Sequence, residues 1–338
     1  SPEGRTSMNH QGIEGVRTTA SDVRETYYGR PVIKPPHWRW LVIFYFFFGA
    51  IAGGSYTIGT IANFFSRDPA LERASRYLSL AAVLPCPILL VLDLGRPERA
   101  LNMFRVIKLK SPMSLGSWAL LGLGTFASAS AVLQAVSDVL GRDVAPGLRR
   151  ALGIAGLPFS VFISGYTGIL LAATNVPLWA RNYLLIGPTF IASAFSGSFA
   201  ALSILLGFGS GEREGTARGL ARAEVACLST ELVALTTGLI HLGKLGKPLT
   251  TGRYGRLFWS GTYLGGILVP LGLQLAGPVR SASGSRPRRV ITALLVLSGG
   301  FILRTLMIFA GRESANRPED YFEYTRRTPG TPEYGTDR

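Results

Sequence analysis

Eight stretches of this chain run for about 20 residues or more with almost no charge, one after another, as bilayer-spanning helices do. They are read at 38–65, 74–93, 115–138, 150–173, 183–207, 223–243, 257–279 and 289–311. Each residue of an α-helix advances about 1.5 Å, so such runs match the roughly 30 Å hydrocarbon core of a membrane. Core helices of a large soluble protein explain one or two such runs, but not eight in series. Gly and Pro inside them (Gly53-Gly54, Pro85, Pro87, Pro158, Pro188, Gly299-Gly300) do not argue against helix. In a membrane bundle, neighbouring helices and small side chains satisfy the freed backbone groups. Only 16% of the residues are charged, against about 25% in soluble domains, and the charges cluster between the runs. The reading is an all-α membrane protein of about eight transmembrane helices in two four-helix bundles. An even number of crossings puts both polar tails on one face, the tail side.

The segments are then a polar N-terminal tail at 1–37, a first bundle at 38–173, a second at 183–311 and a polar C-terminal tail at 312–338. The first 37 residues hold no apolar core of a secretory signal, and the start at Ser1 reads as trimmed. The net charge of +15 invites nucleic acid, yet no basic stripe or RNA-binding motif supports that partner. The Lys and Arg residues sit in loops and tails, where anionic membrane lipid or an acidic partner suits them. Their distribution leans towards a cytoplasmic tail side by the positive-inside rule.

The two cysteines, Cys86 and Cys227, stand alone on apolar runs without a CxxC partner, which predicts no iron–sulfur cluster in this chain. Of three histidines, His10, His37 and His241, only His241 falls inside a run. That predicts no b-type haem, which needs two opposed axial ligands. Walker, GxSxG, HExxH and dinucleotide-binding motifs are also lacking.

Charged groups inside a bilayer each cost roughly 2.5–3.5 kcal/mol on insertion scales, so those that remain are candidates for function. They are Asp93, Glu224, Glu231, His241 and Arg304, with the tyrosines Tyr45, Tyr56 and Tyr166. Counting from the run ends places Tyr45, Asp93, Tyr166, His241 and Arg304 in the tail-side leaflet, as a site opening to that side requires. Glu231 lies near mid-membrane, with Glu224 seven residues earlier on nearly the same face. Arg304 reaches towards Glu231. That arrangement suits either a neutralised pair pinning two helices or a proton path through Glu224, Glu231 and Arg304. A histidine at the position of His241 suits proton relay, although a lone interfacial histidine is more often structural.

After the second run comes Asp93-Leu94-Gly95-Arg96-Pro97-Glu98-Arg99, followed by Ser111-Pro112-Met113-Ser114-Leu115-Gly116-Ser117-Trp118. Snorkelling arginines at an interface account for the charges alone. The whole string, however, resembles the polysulfide reductase membrane-subunit family, often called NrfD-like. So do Gly49–Gly54 after an aromatic run, Tyr166–Leu171 followed by Asn175-Val176-Pro177-Leu178-Trp179, and Gly299–Arg304. The segment Tyr27-Tyr28-Gly29-Arg30-Pro31 with Lys34-Pro35-Pro36 is similar to the version that accompanies formate dehydrogenase-type subunits.

The resemblance implies a membrane anchor of a prokaryotic respiratory oxidoreductase in the plasma membrane, itself without a redox metal and not catalytic alone. It implies a ferredoxin-like four-cluster iron–sulfur subunit and a molybdopterin (Mo or W) catalytic subunit as partners. It further implies a quinone, menaquinone or ubiquinone, held in the first bundle on the face towards the iron–sulfur partner. By register on Gly53-Gly54, the family's helix 1 His falls at Tyr45 and its Asn at Val42, while the helix 4 tyrosine is kept as Tyr166. The expected quinone contacts are Tyr45, Tyr166, His37 as a substitute at the mouth, Asp93 and Arg96. Asp93 would relay protons, held ionised by Arg96 or Arg99. Arg99, Arg105, Lys108 and Lys110 would dock the partner. A proton or solute transporter and a passive anchor stand as alternatives, although no internal repeat of the transporter kind is visible.

Overall fold

The computed structural model describes residues 36, 38–65, 68–94, 98, 105, 107–208, 214–276 and 286–325. Seven single helices there are long and apolar enough to cross a membrane. They are α1 (Trp40–Phe65), α2 (Pro69–Asp93), α3 (Pro112–Leu140), α4 (Pro146–Ala172), α5 (Tyr183–Phe208), α6 (Glu214–Leu242) and α8 (Arg286–Ala315). The remaining apolar run, α7, is a composite that continues from Gly252–Leu257 through a π-helix at Phe258–Leu268 into Val269–Ala276. The expected eight spans are therefore present, one of them in three helical registers. A short polar helix, α9 (Pro318–Thr325), follows α8.

Local chemistry explains the boundaries. Asp68 caps α2 by accepting from the Ala70 N–H at 3.0 Å, with Pro69 at the first helical position, where no N–H is needed. Ser111 does the same for α3 ahead of Pro112, accepting from the Ser114 N–H at 3.4 Å. Gly141 ends α3 with φ +63°, a left-handed conformation that glycine adopts without penalty. Pro85 divides α2 after Leu84 but leaves the chain helical.

Packing centres on α1, which contacts α2, α4, α5 and α8. Small residues allow these close crossings. A Cβ on Gly53 would lie 2.4 Å from the Ser160 carbonyl of α4, and one on Gly54 would lie 2.2 Å from the Ser198 hydroxyl of α5. One apolar cluster joins α1 to α2, α3 and α4, with Ile308 of α8 at its edge. A second joins α5, α6, α7 and α8 to the end of α4. Outward-facing side chains are bare aliphatics, for example Ile88 on α2, Val132 on α3 and Ile240 on α6. Water would penalise such a belt, whereas lipid solvates it. Trp38, before α1, and Arg312, at the end of α8, meet on one face, where the Arg312 guanidinium donates to the Trp38 carbonyl at 3.5 Å. The two ends of the described chain thus emerge together on the tail side.

Candidate functional site

On the tail side, α1 and α4 bring two phenols together. The Tyr45 and Tyr166 rings meet edge to face at 6.1 Å, with Phe46 and Phe162 on the other sides of Tyr166 at 6.2 and 5.9 Å. Both tyrosines are buried. The Tyr166 hydroxyl donates to the Pro112 carbonyl at the start of α3, at 3.2 Å. Gly116, one turn further on, makes this possible: a Cβ there would lie 2.2 Å from the Tyr166 ring. Beside this group, Trp38 stacks on Trp179 at 5.6 Å and meets Phe46 at 6.4 Å. Trp179 is fixed in turn by its indole N–H, which donates to the Met307 carbonyl of α8 at 3.0 Å. The Trp38–Trp179 pair is a feature that sequence reading did not identify, because the two residues are joined only by the fold.

Asp93 closes α2 on the same face, half-buried, and the described charge that acts on it is Arg39. The expected partners Arg96 and Arg99 lie outside the described residues, as does His37. Arg105, Lys108 and Lys110 are exposed on the tail side, ahead of α3. His241, in the last turn of α6, is also exposed.

The mid-membrane charges are arranged differently from a simple pair. Glu231 of α6 and Arg304 of α8 are 3% and 1% exposed, yet they make no direct ion pair. Two serines of α5 stand between them. Ser196 donates to the Glu231 carboxylate at 3.1 Å, and Ser193 faces both charges, accepting from the Arg304 guanidinium at 3.3 Å. Arg304 also donates to the Gly300 carbonyl at 2.8 Å and lies 5.5 Å over the Phe190 ring, while its Nε and Nη2 have no partner. A void of about 10 Å³ adjoins it, between α1, α5 and α8, the space of about one water. Glu224 is buried one leaflet away, faced by Gln274 of α7, with one carboxylate oxygen unpartnered. Cys86 is buried and Cys227 half-buried, both as free thiols.

A further set of polar groups, not singled out in the sequence, lies at the other end of the bundle. At the opposite ends of α2, α3 and α4, Glu72, Arg76, Gln134, Asp138 and Arg149 form a second polar network. The helices reach further than the uncharged runs suggested, and they carry these residues into the packed ends of the bundle.

Fold and buried polar groups together define a multi-pass, all-helical membrane protein with polar centres at both ends and between its helices. A family model described as Polysulphide reductase, NrfD, matches residues 32–314, and the chain belongs to that family. It is also similar to the C subunit of polysulfide reductase from Wolinella succinogenes, 27% identical over 308 residues that cover 81% of this chain and 94% of that protein.

Proposed function

We propose that this chain is the quinone-binding membrane subunit of a respiratory oxidoreductase. In this reading it passes electrons between an iron–sulfur partner and menaquinone or ubiquinone in the membrane. The observation that carries the proposal is the tail-side meeting of Tyr45 and Tyr166, with Asp93 at the end of α2 on the same face, in a chain of the polysulphide reductase family. The donor set suits the ligand: neutral phenols bind carbonyl oxygens, and Phe46, Phe162 and Trp38 offer flat apolar faces to a planar head-group. A bound quinone supplies the two-electron, two-proton chemistry. Tyr166 turns its hydroxyl from the Pro112 carbonyl towards the ligand, Tyr45 orients the ring from α1, and Asp93 holds a proton at the water boundary with Arg39 beside it. Arg96 and His37 belong to the same proposed set, and Arg99, Arg105, Lys108 and Lys110 to the docking face. The partners proposed are a four-cluster ferredoxin-like subunit and a molybdopterin enzyme. Formate is the proposed donor, from the 27–36 segment.

The test is quinone reduction by the intact complex with Tyr166→Phe and with Asp93→Asn. Either change is expected to slow turnover about tenfold or more while the complex stays assembled. Unchanged turnover in both would overturn the quinone-site reading and leave a passive anchor or a transporter.

A second reading concerns protons. Glu224, Glu231, Ser193, Ser196 and Arg304 form a buried polar line through α5, α6 and α8. Charged groups inside a bilayer are costly to keep and mark ion and proton pathways in membrane proteins. His241 lies at the tail-side end of the same helix as a relay to water. Proton translocation coupled to quinone turnover is the function proposed for this line, and Glu231→Gln in vesicles tests it: electron transfer should continue with loss of proton movement.

A further inference from the structure

At the membrane face opposite the tails, α2, α3 and α4 end around a cavity of about 550 Å³. Five arginines line it against three carboxylates. The carboxylates are already engaged. Asp138 pairs with Arg73 at 2.9 Å, Glu72 with Arg76 at 2.9 Å, and Asp143 with Arg149. Gln134 accepts from both Arg76 and Arg149. Two arginines, Arg142 and Arg150, therefore remain at the rim without a carboxylate among the described residues. Arg150 donates only to the neutral Asn63 carbonyl oxygen, at 3.3 Å. Arg149 is itself nine-tenths buried, and its Nε has no partner. The surplus is two positive charges on the lining of one space, beside an arginine whose Nε–H is buried without a partner.

The surroundings name the chemistry that fits. Phe65 at the end of α1 and Val139 at the end of α3 are 85% and 86% exposed, and Leu140 and Leu148 are half-exposed beside the same turn. A cationic cavity at helix ends that also carry bare apolar side chains suits a ligand that is anionic at one end and apolar at the other. Guanidinium groups bind phosphate oxygens through paired N–H donors, and basic pockets between transmembrane helices hold anionic head-groups. We propose that this cavity binds an anionic phospholipid, with its phosphodiester between Arg142, Arg149 and Arg150 and its acyl chains along Phe65, Val139 and Leu148. Two surplus charges match one lipid carrying two phosphodiesters, or two lipids carrying one each. The site is at the far end of the bundle from the proposed quinone contacts and does not depend on them.

The full chain, purified with its partners in mild detergent, is assayed by native mass spectrometry for retained lipid. It is then placed in vesicles of phosphatidylcholine with or without phosphatidylglycerol for thermal unfolding. Phosphatidylglycerol should be retained and should raise the melting temperature. The Arg142→Gln/Arg150→Gln variant should lose about tenfold in retention, the equivalent of roughly 1.4 kcal/mol, with melting in pure phosphatidylcholine unchanged. Arg142→Lys/Arg150→Lys should keep part of it, and Lys244→Gln/Lys247→Gln, exposed between α6 and α7 on the tail side, should keep all of it. Retention that survives the double glutamine change, or falls equally with the tail-side change, would overturn the proposal. Stabilisation by inorganic phosphate alone, with no lipid retained, would also overturn it by assigning the arginines to a free anion.

Discussion

Arg304 shows how a single buried charge is accommodated here. Its guanidinium is fully enclosed, shares Ser193 with Glu231, rests over Phe190 and keeps two nitrogens unpartnered. The cost of enclosing it is offset partly by Glu231 across the serine bridge, so the two charges are coupled without touching. Arg304→Met should then destabilise the detergent-solubilised protein by about 3 kcal/mol, because Glu231 is left buried with only serines beside it. Glu231→Gln/Arg304→Met should recover most of that loss in thermal unfolding. A double variant no more stable than Arg304→Met would mean that the residues are uncoupled. Tyr166 illustrates a different dependence: its hydroxyl reaches Pro112 only because position 116 has no side chain.

Among the elements, the composite α7 and the terminal α9 depart furthest from regular transmembrane helices. The π-helical stretch of α7 packs on α8 through Gly266 against Gly299, where a Cβ on either residue would lie within 2.5 Å of the other's backbone. The wider π turn and the two glycines let these helices meet backbone to backbone. Outside the membrane, α9 docks through Asp320, which is buried and accepts from the Ser314 hydroxyl at 2.9 Å. Burial holds the Asp320 carboxyl above its ordinary value, against the opposing effects of the Ser314 bond and the nearby Arg317. The docked state therefore binds a proton more tightly than the released helix, so docking is favoured at low pH and weakens as pH rises through the raised value. Protection factors for hydrogen exchange across 318–325, corrected for the intrinsic pH dependence of amide exchange, should be higher near pH 4 than near pH 7. Asp320→Asn should remove most of that dependence, and an unchanged profile would assign it to another group.

For the whole molecule, the even number of crossings is the property that organises the rest. It places Trp38 against Arg312 and puts the proposed quinone contacts, the docking face and both ends of the described chain on one side. Reporters of membrane sidedness fused to either end of this chain should report the same compartment, and fusions in the 141–145 turn the other. Ends that reported opposite sides would require seven or nine crossings and would dissolve the common face. Spans and the isolated tyrosines were legible in the sequence because they follow from local properties: hydropathy over about 20 residues and the rarity of polar groups in apolar runs, whereas the helix starts at Asp68-Pro69 and Ser111-Pro112 lie ahead of the apolar runs at 74 and 115. The family likeness was legible in the strings around Asp93, Ser111 and Tyr166. Long-range pairings were not. Ser193 between Glu231 and Arg304, Trp38 on Trp179, Arg39 beside Asp93 and the arginine-lined cavity each join residues from different helices. Hydropathy carries no information about which helix faces which, since lipid and a neighbouring helix are equally apolar partners. The sequence by itself determined how many times the chain crosses the membrane and which groups must be buried in it. The tertiary structure alone decided which of those groups meet, because close packing at small residues, rather than polarity, selects the helix contacts.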